Sequence, residues 1–209
     1  MKTLVCLGDS WPQGGELPDQ TKAYGYLIKE KLNFDQFYNY GSGGASNEDS
    51  LLQLQQFVQD HYDPAHATTV VVHLTNPARS MFWPDRQNWV NGQPADLRAL
   101  FLYFHKLDDF RSSLVITALQ TWCQKLGITD FYFSGWVRYN QWLPMVDTDK
   151  IWAQGKETAS DWFGVSDHNG EHLINVAHNT YIQPNHCHPN EVGHELIAER
   201  LCSWIIKNQ

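Results

Sequence analysis

Two polar clusters near opposite ends of the chain carry the residue types that acyl transfer needs. Gly8-Asp9-Ser10 places a hydroxyl directly after the apolar run Thr3 to Leu7, and Asn185-His186-Cys187-His188-Pro189-Asn190 places an imidazole ahead of an apolar stretch with helical spacing. A serine hydroxyl becomes a useful nucleophile when a base takes its proton, and the tetrahedral intermediate needs donors aimed at its oxygen. Ser10 is thus the candidate nucleophile and His188 the candidate base. The run before Ser10 has the length of a buried parallel strand, and Gly8 lets the chain turn sharply as it leaves the sheet. The hydroxyl and its own N–H then face the crevice at the carboxyl end of the strands. The plainer alternative is that Asp9 and Ser10 only cap the following turn.

The segment Gly8-Asp9-Ser10-Trp11-Pro12-Gln13-Gly14 resembles the first block of the SGNH, or GDSL, hydrolase superfamily, and Asn39-Tyr40-Gly41-Ser42-Gly43-Gly44-Ala45-Ser46 resembles its second. Leu74-Thr75-Asn76-Pro77 keeps the Asn of the third block without its flanking Gly and Asp. Asn185 to His194 resembles the last block, with His188 in the base position and Asn185 where the family has Asp. The resemblance implies an α/β fold of three α/β/α layers, a flavodoxin-like parallel sheet of about five strands with helices on both faces. It also implies a serine ester hydrolase whose oxyanion donors are the Ser10 N–H, the Gly44 N–H and the Asn76 side-chain amide.

Asn185 is the main departure from that pattern. An Asp would orient the ring and stabilise the imidazolium, whereas an Asn carbonyl accepts a hydrogen bond but supplies no charge. Three outcomes stay open: a Ser-His pair oriented by Asn185, another acid such as Asp167 or Asp161 reaching the ring, or a poor catalyst. Other readings of the same residues are weaker. Asn76 can serve as a strand-end cap. Gly41, Gly43 and Ser46 miss the third small residue of a dinucleotide loop, and only a weak strand precedes them. His186 and His188, with His178 or His194, lack an established zinc-ligand spacing. Cys187 adjoins the base in sequence, which seldom lets a thiol point the same way, and His194 reads as a packing histidine. The chemistry calls for no cofactor and no metal.

These residues must be positioned by alternating strands and helices. Periodicity predicts helices over Tyr24 to Leu32 and Asn47 to Tyr62, and strands over Gln36 to Tyr40 and Thr68 to Leu74. Asp96 to Leu126 reads as helical, with two helices meeting near Phe110 to Ser113, and Gly127 closes it. Ile128 to Phe133 alternates as a fourth strand, Leu173 to Ala177 is the best candidate for a fifth, and a terminal helix is expected from Pro189 to about Lys207. Such alternation implies a parallel sheet covered on both faces.

With 209 residues, 42% of them hydrophobic and 18% charged, the chain has the size of one domain with one substantial core. A net charge of -8 argues against nucleic-acid or anionic-membrane partners. No stretch approaches a membrane span and Met1-Lys2-Thr3 runs straight into a strand, which points to a cytoplasmic protein. The four cysteines lack a disulfide or metal pattern and read as reduced thiols. Two aromatic-rich insertions, 79–95 and 135–184, carry Trp83, Trp89, Trp136, Trp142, Trp152 and Trp162. They suit either an aromatic-walled cleft for a small-molecule or glycan ester, as in a carbohydrate O-deacetylase, or simple packing onto the domain. A second function class is a catalytically silent module that keeps the fold and binds a glycan or protein through these tryptophans.

Overall fold

A computed structural model of the chain describes residues 1–75, 97–135 (backbone alone over 97–109), 144–152, 162–163, 180–182 and 188–209. Strands β1 (Lys2–Leu7), β2 (Gln36–Asn39), β3 (Ala67–Leu74) and β4 (Asp130–Gly135) form one sheet in the order β2-β1-β3-β4. Every pairing is parallel, with Val5 opposite both Tyr38 and Val70, and Val71 opposite Tyr132. Among the described residues the sheet thus has four strands rather than about five. The fifth candidate, Leu173 to Ala177, lies outside them.

Side chains alternate across a strand, so each strand feeds both faces of the sheet. Leu4, Cys6, Val71 and Tyr132 pack with Tyr24 and Ile28 of α2 (Tyr24–Lys31) and with Ile197, Leu201 and Ile205 of α5 (Glu191–Asn208). Val5, Leu7, Val70 and Val72 pack on the other face with Leu54 and Phe57 of α3 (Asp49–Asp60) and with Ile116 and Leu119 of α4 (Leu97–Lys125). The three α/β/α layers follow from this double burial. Cys6, Cys123 and Cys202 are buried and free, and burial pushes the Cys123 thiol up to about 12.

The expected break near Phe110 to Ser113 does not occur, and α4 is continuous. Serines favour a new helix start when their hydroxyls can cap it. Here Ser112 Oγ instead accepts from Asn47 Nδ2 at 3.3 Å, and both serines are buried inside the helix face. The helix ends in a Schellman arrangement, in which Ile128 N–H bonds to Cys123 O, Gly127 N–H to Gln124 O, and Gly127 takes φ 75°. The start of α5 also shifts. Pro189 is not its first residue; Asn190 caps it by accepting from Gly193 N–H, while the Asn190 amide donates to Thr180 O at 2.8 Å. His188 therefore stands in the connection ahead of the cap.

Helix α2 begins after Ala23, which has no side chain able to cap it. Its orphan Tyr24 N–H is accepted by His194 Nδ1 of α5 at 3.2 Å, so a buried histidine closes a helix end across the domain. Trp152 and Trp162 also join this face. Trp162 is buried in the core, and Trp152 meets Trp162 and Trp204 edge-on at 4.8 and 5.3 Å. For these two the packing alternative holds; Trp83, Trp89, Trp136 and Trp142 lie outside the described residues. Among those described, no helix is long and apolar enough to cross a membrane.

Candidate active site

Strand β1 ends at Leu7, and Gly8 then takes φ 129°, a conformation that L side chains rarely adopt. A Cβ at Gly8 would stand 2.5 Å from His73 O, so the turn is closed to any larger residue. Asp9 caps the short helix α1 (Ser10–Gln13) by accepting from Trp11 N–H at 3.0 Å. Ser10 is the first residue of α1, so its N–H falls among those a helix cannot satisfy internally. The capping role foreseen as an alternative is real for Asp9, and it coexists with a hydroxyl that faces His188.

Ser10 Oγ lies 2.7 Å from His188 Nε2. On the opposite side of the ring, Glu16 Oε2 lies 2.9 Å from Nδ1, within ion-pair range but off the line of an N–H hydrogen bond. If Nε2 is to accept the serine proton, Nδ1 carries the hydrogen and faces the carboxylate. Glu16 reaches this place because α1 ends in a left-handed Gly14, Gly15 N–H bonds to Ser10 O at 2.8 Å, and Glu16 itself takes φ 67°. At Gly15 a Cβ would come within 3.1 Å of Ser10 Cβ and 3.6 Å of His188 Cδ2, so the loop wraps tightly over Ser10.

The second glycine-rich segment is stitched to the first. Asn39 Nδ2 donates to Pro12 O at 2.6 Å, Asn39 Oδ1 accepts from Gly41 N–H, and Ser42 N–H donates to Gly8 O at 3.0 Å. Ala45 N–H closes a turn on Ser42 O, with Gly44 at φ 74° in the position of such a turn that calls for glycine. Helix α3 and the segment leading into it hold two strand ends. Gln53 grips both the N–H and the C=O of Gly8, at 2.7 and 2.9 Å. Asn47 accepts from Thr75 N–H at 2.9 Å, and its amide approaches Thr75 O at 3.4 Å, which fixes the backbone directly before Asn76.

Ser10 and His188 thus meet, and Gly44 sits in a turn bonded to the same junction. Asn76, Asn185, Asp161, Asp167, His178, His186 and Cys187 lie outside the described residues. His194 is a buried packing histidine whose Nδ1 accepts from Tyr24 N–H. Burial first, then the nearby His73 and His188, push it down to about 3, which keeps it neutral. From the sequence alone, Glu16, Asn47 and Gln53 have no place in the site. For Glu16 the available signal was a carboxylate directly after a Gly-Gly pair, in a chain whose familiar acid position holds an amide. Asn47 and Gln53 look like ordinary residues of a helical segment.

No family model matches the sequence, and no curated protein matches it by sequence. Its fold does match solved structures. The esterase EstA from Pseudoalteromonas sp., in a form inhibited by monoethylphosphonate, superposes with a TM-score of 0.53 at 17% identity, over 98% of this chain and 97% of the other. A GDSL-like lipase from Bacteroides thetaiotaomicron gives 0.54 at 12% identity, over 99% of this chain and 89% of the lipase. The acetyl xylan esterase AlAXEase gives 0.51 at 14% identity, over 96% and 98%. The chain therefore has the three-layer α/β/α fold of the GDSL, or SGNH, esterases and lipases.

Proposed function

We propose that the chain is a serine ester hydrolase that works through an acyl-enzyme on Ser10. The observation that carries this reading is the 2.7 Å approach of Ser10 Oγ to His188 Nε2, between residues far apart in sequence at the carboxyl end of the sheet. Ser10 Oγ attacks the ester carbonyl while its proton passes to Nε2. The imidazolium then protonates the departing alkoxide, leaving the acyl group on Ser10. Water attacks that acyl group with His188 again taking the proton, and Ser10 leaves with it. Charge on the carbonyl oxygen is met by the Ser10 N–H, the Gly44 N–H and the Asn76 amide, each donor worth about 3 kcal/mol of barrier in such sites. Asn185 holds the family's acid position with an amide that can accept from the ring and carries no charge.

An acetylated carbohydrate is the substrate class we favour. It draws support from the acetyl xylan esterase among the structural neighbours and from the aromatic-rich sequence of the two insertions, which carry Trp83, Trp89, Trp136 and Trp142. The test is hydrolysis of a short-chain aryl ester and of an acetylated xylan by the wild type, Ser10→Ala and His188→Ala. Turnover that falls by about a thousandfold or more in both variants, with the fold retained, is the expected result. A silent binding module, the reading that Asn185 suggests, predicts no turnover in any of them.

A further inference from the structure

We propose that Glu16, from the loop that follows the nucleophile, is the positioning carboxylate of a Ser10-His188-Glu16 relay. This rests on the hydrolase reading above and names the charged member that Asn185 cannot supply. Three observations converge. The carboxylate lies 2.9 Å from Nδ1, on the edge of the ring opposite the Ser10 contact. A base that receives a proton on Nε2 becomes an imidazolium, and a negative group 2.9 Å from Nδ1 stabilises that charge even where it lies off the N–H line. The loop geometry is also specific: a side chain at Gly15 would crowd Ser10 at 3.1 Å and touch His188, and the next residue turns back toward the ring.

The third observation is the backbone of Glu16. Its φ of 67° lies in the left-handed region, which glycine occupies freely and which charged, unbranched residues seldom adopt. A pair of glycines stands immediately before it, yet this position carries a long carboxylate. Residues held in such conformations concentrate at functional sites, where the side chain is worth the strain. Here the side chain ends on the catalytic histidine. It is only partly covered, which leaves a route for a small carboxylate to enter when Glu16 is truncated.

Because glycine suits a left-handed backbone, Glu16→Gly separates catalysis from stability. The variant should melt no lower than the wild type, yet its kcat for a short aryl ester should fall by about tenfold to a thousandfold with KM within about twofold. Glu16→Gln, which keeps the shape without the charge, should lose kcat similarly, and Glu16→Asp should recover part of it. Added formate should raise the kcat of Glu16→Gly and leave the wild type and Glu16→Gln unchanged. Wild-type kcat in both Glu16→Gln and Glu16→Gly overturns the inference, as does a loss in Glu16→Gly that tracks a lower melting temperature and ignores formate. A wild type that hydrolyses no ester and takes no fluorophosphonate on Ser10 removes the hydrolase reading, and the inference with it.

Discussion

The orientation of Ser10 depends on one residue that has no side chain. With φ at 129° and His73 O at 2.5 Å from any added Cβ, Gly8→Ala should cost about 1–3 kcal/mol in urea unfolding and turn Ser10 away from His188, abolishing turnover. Wild-type stability in that variant would mean the turn can rebuild itself. Asn76→Ala should lower kcat by about a hundredfold or more with little change in KM, because its donor matters when charge develops; an effect on KM alone would assign Asn76 to ground-state binding. Asn185→Ala discriminates between orienting groups. With Glu16 on Nδ1, kcat should fall by less than about tenfold, and a loss as large as that of Glu16→Gln would return the role to Asn185. Ser10 and His188 were legible in sequence because each sits in a motif whose neighbours announce a strand end or a helix start. Glu16 was not, since its role requires a left-handed backbone and a loop closure that no spacing rule encodes.

At the level of elements, the junction that carries Ser10 is held by side chains from the α3 region rather than by the loops alone. Gln53 bonds both backbone groups of the buried Gly8, and because Ser42 N–H also serves the Gly8 carbonyl, Gln53→Ala leaves the Gly8 N–H without its partner, at about 1–3 kcal/mol. A melting temperature lowered by several degrees, measured by calorimetry, is the expected outcome. Unchanged melting would show that water replaces the amide. The four strands and their helices were readable from apolar periodicity, because each buried strand is a short β-rich run and each helix keeps an apolar stripe. What periodicity missed has tertiary causes. The α4 serines are absorbed by burial and by Asn47, and the cap of α5 falls on Asn190 because its amide also ties to Thr180 O.

Across the whole molecule, His194 links α2 to α5 as a neutral hydrogen-bond acceptor, and protonation would break that link. Its value near 3 lies below the ordinary 6.5, so between those limits the unfolded chain binds a proton that the folded chain refuses. Stability contributed by this group is therefore complete above about pH 6.5 and falls as pH drops toward 3. His194→Asn, which keeps an acceptor near the Nδ1 position, should show a shallower fall in melting temperature over that range, and an identical slope would remove His194 from the account. Activation of Ser10 by His188 would make the hydroxyl reactive toward a phosphonylating agent. Intact-mass spectrometry of the wild type after exposure to a fluorophosphonate should show one adduct, mapped by peptide sequencing to Ser10, while Ser10→Ala takes none and His188→Ala reacts at least about a hundredfold more slowly. An unmodified wild type, or an adduct on another residue, would contradict it.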